Sequence, residues 1–173
     1  MKRLMDIVGT MTLTIRRADF DDPRLPAFLA AHRADMAPQS PPESQHALDF
    51  DALKRQDVRL WVGTAAGQLA VTCALAPLVP GHEELKSMRT HPGLRGQGFA
   101  SRILEHAIAD ATQRGIKRIS LETGAAEFFA PARKLYAVNG FEPCMPFGHY
   151  GEDPHSIFMS RSLARSGLQK VIG

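Results

Sequence analysis

The stretch "THPGLRGQGFASRILEHA", residues 90–107, decides the fold, because a glycine-rich turn runs directly into a helical pattern. Small and apolar residues recur at helical spacing from Ala100 to Ala111, and Gly115 then marks the end of the helix. The preceding "HEELKSMRTH", residues 82–91, is predicted to be a strand. Exposed backbone N–H groups and the helix dipole meet at such a turn and favour an anion. The stretch therefore predicts a phosphate-binding loop.

The spacing within this loop excludes two kinds of nucleotide site. The ATP-binding loop requires a lysine after its second conserved glycine, and none follows Gly98. The dinucleotide fingerprint requires a third glycine where this chain has Ser101. Between residues 86 and 102 the charged residues are all basic, which predicts a positive field, although a solvated charged face is an equal alternative: Lys86, Arg89, Arg95 and Arg102.

Composition limits the class of protein. The chain has 173 residues, of which 44% are hydrophobic and 23% charged, as is typical of one soluble globular domain. No apolar run reaches the roughly 20 residues that span a bilayer. Cys73 and Cys144 make neither a disulfide framework nor a metal-binding pair. A net charge of +3 without interleaved aromatics does not favour nucleic acid. We therefore expect a cytoplasmic protein that uses no metal, nucleic acid or membrane.

The remaining patterns predict the order of elements as β, α, α, β, β, β, α, β, α, β, β. Two of these elements are short or interrupted. The segment "QHALDFDALKRQ", residues 45–56, is predicted to be a second helix after a proline-rich break, and "FEPCMPFG", residues 141–148, to pair with "HSIFMSRSL", residues 155–163. The expectation is an α/β domain over residues 1–173 with its core at about 12–163 and with peripheral ends, residues 1–10 and 164–173.

Two motifs carry a resemblance to a known family. "RGQGFA", residues 95–100, and "ARKLYAVNGF", residues 132–141, resemble in sequence and in order the motifs of the GCN5-related N-acetyltransferases (GNAT). "SPPES" and "PFGHYGEDPHSIFM" further resemble a subgroup of bacterial small-molecule acetyltransferases. The resemblance implies a mixed, mostly antiparallel twisted sheet of about seven strands flanked by about four helices. It also implies acetyl transfer from acetyl-coenzyme A to a primary amine of a small molecule, and leaves a homodimer open.

Two other functions stay open beside this one. A protein or peptide amine is an alternative acceptor. A chain that binds acyl-coenzyme A without turnover and regulates a partner is an alternative of a different class.

The resemblance also implies which residues bind the acetyl donor, acetyl-coenzyme A. The backbone of Met88, Arg89 and Thr90 would hold the pantetheine arm, and the amide of Met88 would polarise the thioester carbonyl. The pyrophosphate would lie on the loop and the first turn of the helix: Arg95, Gly96, Gln97, Gly98, Phe99, Ala100 and Ser101. Where the family often has a cofactor-binding asparagine, this chain has Phe129. We expect Phe128 and Phe129 in the core, with a pocket wall as the alternative.

Direct attack by an amine requires a base and an acid. By resemblance Tyr136 is the acid that protonates the leaving thiolate, with a packing role in the core as the alternative. Glu84 is the expected base because it opens the strand that leads to Met88, and Glu83 is the alternative on the opposite strand face. No cysteine lies in a matched motif, which favours direct transfer over an acetyl-enzyme.

Acceptor specificity in the family lies between the first two helices and in the last strands. The candidate acceptor residues there are Ser44, His46, His149 and Tyr150. For each of them a capping or loop-filling role is the alternative.

Overall fold

A computed structural model describes residues 11–163 of the chain, so the expectations for residues 1–10 and 164–173 lie outside it. It contains one seven-stranded sheet in the order β1-β2-β3-β4-β5-β7-β6. Neighbouring strands are antiparallel except for the pair β4 and β5, which is parallel. The predicted α/β class with a mostly antiparallel sheet is confirmed.

The elements follow the predicted order. The strands are β1 (Thr14–Arg17), β2 (Arg59–Ala65), β3 (Gln68–Val79), β4 (His82–Thr90), β5 (Arg118–Gly124), β6 (Glu142–Pro143) and β7 (Ser156–Ser162). The helices are α1 (Arg24–Met36), α2 (Phe50–Leu53), α3 (Phe99–Gln113) and α4 (Ala130–Val138). In the described part of the chain, no helix combines the length and apolar character needed to cross a membrane.

The hydrophobic core lies on both faces of the sheet. On one face α3 packs through Ile103, Leu104 and Ala107, all fully buried, against the cluster that contains Trp61. On the other face α1 and α2 contribute a second cluster that contains Leu60. Leu60 and Trp61 are consecutive in β2 and point to opposite faces, as strand alternation requires.

Two predicted elements were wrong in extent. The helix predicted at residues 45–56 is helical only over Phe50–Leu53, and it begins there because the Asp49 carboxylate caps it by accepting from the Ala52 N–H at 2.7 Å. The strand predicted over residues 141–148 shrinks to Glu142–Pro143. Pro143 and Pro146 lack the N–H that a strand ladder needs, which explains the short pairing.

The sheet splits between β4 and β5, and this split positions the functional site. Their pairing ends at Glu84 and Ser120, although β4 continues to Thr90 and β5 to Gly124. Just beyond Glu84, β4 bulges against β3, and Ser87 adopts a positive φ of 54°. The Thr72 hydroxyl donates to the Ser87 carbonyl at 2.8 Å and holds the bulge in place.

Candidate active site

A cavity of about 780 Å³ lies at the split between β4 and β5. Its walls come from β4 and β5, from the loop before α3, from α4 and the turn before it, and from α1 with the loop over residues 40–48. The long β4 strand and the glycine-rich loop thus border the same space as the carboxyl end of β5.

The glycine-rich loop has the geometry of an anion site. Gly96 and Gly98 have φ of 77° and 75°, which side chains rarely adopt, and no atom lies within 4 Å of where a Cβ would stand. Gly98 is the N-cap of α3 and offers no side chain to cap it, so the first N–H groups of the helix have no side-chain partner there. Arg95, Gly96 and Ala100 line the cavity.

The other loop residues predicted for the donor are placed differently. Gln97, Gly98 and Ser101 do not line the cavity. The Phe99 side chain is 2% exposed and belongs to the hydrophobic core, so only its backbone is left for a ligand.

Met88, Arg89 and Thr90 line the cavity along the unpaired part of β4. Arg89 is buried; one of its terminal nitrogens donates to Asp35 at 2.7 Å, and its guanidinium lies 5.3 Å from the centre of the Phe28 ring. Lys86 forms an ion pair with Glu84 at 2.8 Å. Four basic residues were predicted to create a positive field here. Two of them, Lys86 and Arg89, form ion pairs with Glu84 and Asp35, and the sequence did not predict these pairs.

Tyr136 lies at the cavity wall, and its side chain packs at the same time against the core. The residue is 6% exposed, and its ring meets Phe141 edge to face at 6.0 Å between centroids. Burial, reinforced by Cys73 and Glu122, raises the pKa of its hydroxyl above the ordinary range. The Tyr136 hydroxyl therefore stays protonated at neutral pH, as a proton donor must.

The two carboxylates considered for the base are not in the cavity wall. Glu83 receives two hydrogen bonds from the Arg114 guanidinium, at 2.6 and 2.7 Å, and this ion pair ties β4 to the end of α3. Glu84 is buried and accepts from Lys86 Nζ and from the Tyr150 hydroxyl. Of these two carboxylates, Glu84 reaches the cavity only through Lys86, which lines it.

Two carboxylates line the cavity: Asp35, which is exposed and paired with Arg89, and Glu122, which is partly buried and was not among the residues predicted from the sequence. Burial raises the pKa of Glu122; the neighbouring Ser156 hydroxyl, His46 and Lys86 lower it, and Glu84 raises it further. A signal was available in "ISLET". The alternation that places Ile119 and Leu121 on one face of β5 places Glu122 on the other.

The predicted acceptor residues separate into two groups. Ser44 and His46 line the cavity. Tyr150 lies one side chain behind the wall, where its hydroxyl accepts from Lys86 Nζ at 2.8 Å and its ring meets His46 edge to face at 4.9 Å. His149 is exposed and stacks on Tyr150 at 4.7 Å, outside the wall.

The core role expected for Phe128 and Phe129 was wrong, because both rings line the cavity. Phe128 is 44% exposed, and the two rings meet edge to face at 5.0 Å. The Phe129 ring lies directly on Gly124, where a Cβ would overlap it. The glycine at the end of β5 therefore makes room for an aromatic wall.

Nucleophilic cysteine chemistry finds no support in the cavity. Cys73 is fully buried in the core, and burial raises the pKa of its thiol above the ordinary range. Cys144 is partly buried, with its pKa raised for the same reason, and neither thiol lines the cavity. Among residues 11–163, no group of three or more His, Cys, Asp or Glu side chains is arranged to hold a metal ion.

The split sheet and the glycine-rich loop at its mouth define an acyltransferase-like architecture, and comparison with known proteins agrees. The chain belongs to the acetyltransferase (GNAT) family, whose model matches residues 25–141, and it is an acetyl-coenzyme A-dependent N-acetyltransferase.

Two relatives and one solved structure cover nearly all of the described chain. The uncharacterised N-acetyltransferase YsnE of Bacillus subtilis is 41% identical over 86% of this chain and 99% of its own length. The uncharacterised N-acetyltransferase YedL of Escherichia coli is 43% identical over 88% and 96%. The crystal structure of the putative acyl-CoA N-acyltransferase from Klebsiella pneumoniae has a TM-score of 0.74 and 28% identity, over 88% of this chain and 99% of that chain.

Proposed function

We propose that this enzyme transfers the acetyl group of acetyl-coenzyme A to a primary amine of a small molecule, by direct attack while both substrates are bound. One observation carries the proposal. A single cavity joins the glycine-rich loop and the unpaired β4 backbone to a partly buried carboxylic acid, Glu122, and a buried phenol, Tyr136. A donor site and a proton-transfer pair thus border the same space.

The loop and β4 fit the donor. The open space at Gly96 and Gly98 lets a pyrophosphate approach the backbone closely, and Arg95 adds a positive charge. The main chain from Met88 to Thr90 has no partner on β5, so its free groups can hold an extended pantetheine arm as a neighbouring strand would. The thioester would then lie between Glu122 and Tyr136.

The chemistry balances with two protein groups. The amine lone pair attacks the thioester carbonyl carbon, the N–C bond forms and the C–S bond breaks. Glu122 takes the proton released by the amine, and Tyr136 donates its proton to the departing thiolate. A raised pKa suits Glu122 to the task, because a base is most effective when its pKa approaches the working pH.

Glu84, the base expected from the sequence, has a different part in this proposal. It does not line the cavity, and its Oε1 accepts from both Lys86 and Tyr150. Glu84 would hold Lys86 and Tyr150 in position by these hydrogen bonds. It would not take a proton from the acceptor directly.

The walls at the acceptor end favour a small amine over a protein chain. Ser44 and His46 come from the loop over residues 40–48, Lys86 comes from β4, and Phe128 comes from the turn before α4. Side chains from these segments line the same cavity as Glu122, which limits the room for a bulky acceptor. A regulatory module without turnover would gain nothing from a partly buried acid and a buried phenol that line one cavity.

Thiol release with a panel of amines, calorimetry with acetyl-coenzyme A and mass spectrometry of the products test the proposal. Release should require an amine, and the product should gain one acetyl group. Tyr136→Phe should lower kcat by about 10²-fold or more and leave donor binding intact, because it removes only the donated proton. Tyr136 is buried, so thermal unfolding should first show that the variant is folded.

Cys144→Ala is the matched control and should keep its turnover, because that thiol lies outside the cavity. Tight donor binding without release for any amine would instead indicate a non-catalytic module. A burst of release without any amine would contradict direct transfer.

A further inference from the structure

A cation faces the carboxylate across the split. β4 and β5 pair in parallel as far as Glu84 and Ser120, and Lys86 and Glu122 each lie two residues beyond this last pair, where the strands separate. Both side chains line the cavity, and the Lys86 charge acts on Glu122. The acceptor end therefore presents an ammonium group, paired with Glu84, on one strand and a proton-accepting group on the other.

Lys86 is held in place by a closed ring of hydrogen bonds. Its Nζ donates to Glu84 Oε1 and to the Tyr150 hydroxyl, each at 2.8 Å, and the Tyr150 hydroxyl donates to the same Oε1. The Lys86 side chain is only 10% exposed. An ammonium whose two partners are themselves bonded to each other has little freedom to turn away from the cavity.

One N–H of the Lys86 ammonium group takes no part in this ring of hydrogen bonds. An ammonium has three donors, and two of them are used by Glu84 and Tyr150 among the residues that the structure describes. Because Lys86 lines the cavity, the third donor is available to a bound acceptor. A buried ammonium donor is satisfied best by an anionic oxygen, and a charge-assisted bond of this kind is about twice as strong as a neutral one.

The surroundings favour a carboxylate as that oxygen. Ser44 and His46 line the same end of the cavity and supply further hydrogen-bonding groups. Of the two carboxylates in the wall, the Lys86 charge acts on Glu122, and the proposed function assigns Glu122 to the acceptor's amine.

We propose that the acceptor is an amino acid or a similar amine that carries a carboxylate within one or two carbons of its nitrogen, with Lys86 binding that carboxylate while the amine faces Glu122. This inference rests on the proposed function, which requires an amine but does not fix its other groups. The short distance between amine and carboxylate follows from Lys86 and Glu122 facing each other across a single split between neighbouring strands.

The first experiment needs no variant. Steady-state thiol release is measured for pairs of acceptors that differ only in the carboxylate, namely an α-amino acid and its primary amide, and a β-amino acid and its primary amide. The acid of at least one pair should exceed its amide in kcat/KM by about 10- to 100-fold, because one charge-assisted hydrogen bond is lost in the amide.

The second experiment asks whether Lys86 causes the preference. Lys86→Met should reduce the acid-to-amide ratio of kcat/KM to about one, and this ratio is the readout because the substitution also removes a partner of Glu84 and a charge near Glu122. Lys117→Met is the matched control, since this lysine is exposed near the start of β5 and outside the cavity wall, and it should keep the preference.

The outcomes separate this inference from the proposed function. Turnover of amines or amides that equals or exceeds that of the acids would overturn the inference and leave the acetyltransferase proposal standing. An equal loss for acid and amide in Lys86→Met would show a structural role for Lys86 and would also overturn it. Absence of thiol release with every amine would overturn both.

Discussion

At the scale of single residues, the proposed site depends on a buried phenol, Tyr136, and a partly buried carboxyl group, Glu122, and only the first belongs to a recognisable sequence motif. Tyr136 follows a motif, so its position was predicted, and the structure places it in the cavity wall and against the core together. Glu122 lies outside the two family-like motifs of the sequence, residues 95–100 and 132–141. Its role depends on burial and on which side of β5 it faces, and burial is a property of the folded chain.

Glu122→Gln tests the proposed base through activity and its pH dependence. The variant should lose about 10²- to 10⁴-fold in kcat, as expected when a general base is removed. In the wild type, kcat should rise with pH as Glu122 ionises, with its midpoint above the ordinary glutamate value of about 4.3, because burial raises the pKa. The pH profile of the variant should lack this rise. Retention of the rise would show that another group is the base.

The same variant should be more stable than the wild type at neutral pH. A carboxyl group with a raised pKa in the folded state costs no stability below its unfolded pKa, where both states are protonated. The cost appears as pH rises towards the folded pKa, because the unfolded state releases its proton first. Thermal unfolding should therefore favour Glu122→Gln at pH 7.5, and the two proteins should converge near pH 4. A less stable variant at pH 7.5 would contradict the assigned direction.

At the scale of elements, the sequence predicted regular segments better than it predicted loops. The α3 helix was readable because Ile103, Leu104 and Ala107 keep helical spacing, and all three are fully buried. The segment over residues 141–155 was not readable. Its prolines limit β6 to two residues, and the rest becomes the loop that brings Tyr150 to Glu84. Such long-range contacts have no local periodicity.

The same limit explains the errors in the site. Arg114, 31 positions along the chain, forms an ion pair with Glu83. Tyr150, 66 positions along, donates a hydrogen bond to Glu84. In the sequence, Glu83 and Glu84 are adjacent residues of one strand, and each was a candidate for the base. Only partners brought by α3 and by the loop before β7 separate their roles.

Gly124→Ala tests the contact between β5 and the turn before α4. A Cβ at this position overlaps the Phe129 ring, so the ring must move out of the cavity wall. Overpacking of this kind should lower the free energy of unfolding by about 1–3 kcal/mol. It should also raise KM for acetyl-coenzyme A or for the amine, because Phe129 lines the cavity.

Gly151→Ala is the matched control for this substitution. No atom lies within 4 Å of a Cβ there, and its φ is not positive. Stability measured by denaturant unfolding and kinetics measured by thiol release should both stay close to the wild type. If the two glycine variants had equal stability and equal KM values, the Phe129 ring would be shown to move without loss of stability or binding.

At the scale of the whole molecule, donor binding should stabilise the fold. A ligand present at about 100 times its Kd adds about 2.7 kcal/mol to the free energy of unfolding, which for a chain of this size raises Tm by about 5–10 °C. Arg95→Ala should reduce the shift, because Arg95 lines the cavity beside the glycine-rich loop. Arg16→Ala, on the exposed edge strand β1, is the control and should keep it. An undiminished shift in Arg95→Ala would remove Arg95 from the donor site.

The split sheet has a mechanical consequence. In residues 11–163, four strands lie on one side of the β4–β5 junction and three on the other, and the ladder that joins β4 to β5 has three residue pairs, from His82 with Arg118 to Glu84 with Ser120. Beyond them the two half-sheets form a wedge that is open at one end. An extended ligand lying in that wedge would act as the strand that the sheet lacks there. When coenzyme A is added, hydrogen–deuterium exchange should therefore slow more in the backbone amides of residues 85–90 than elsewhere in the sheet.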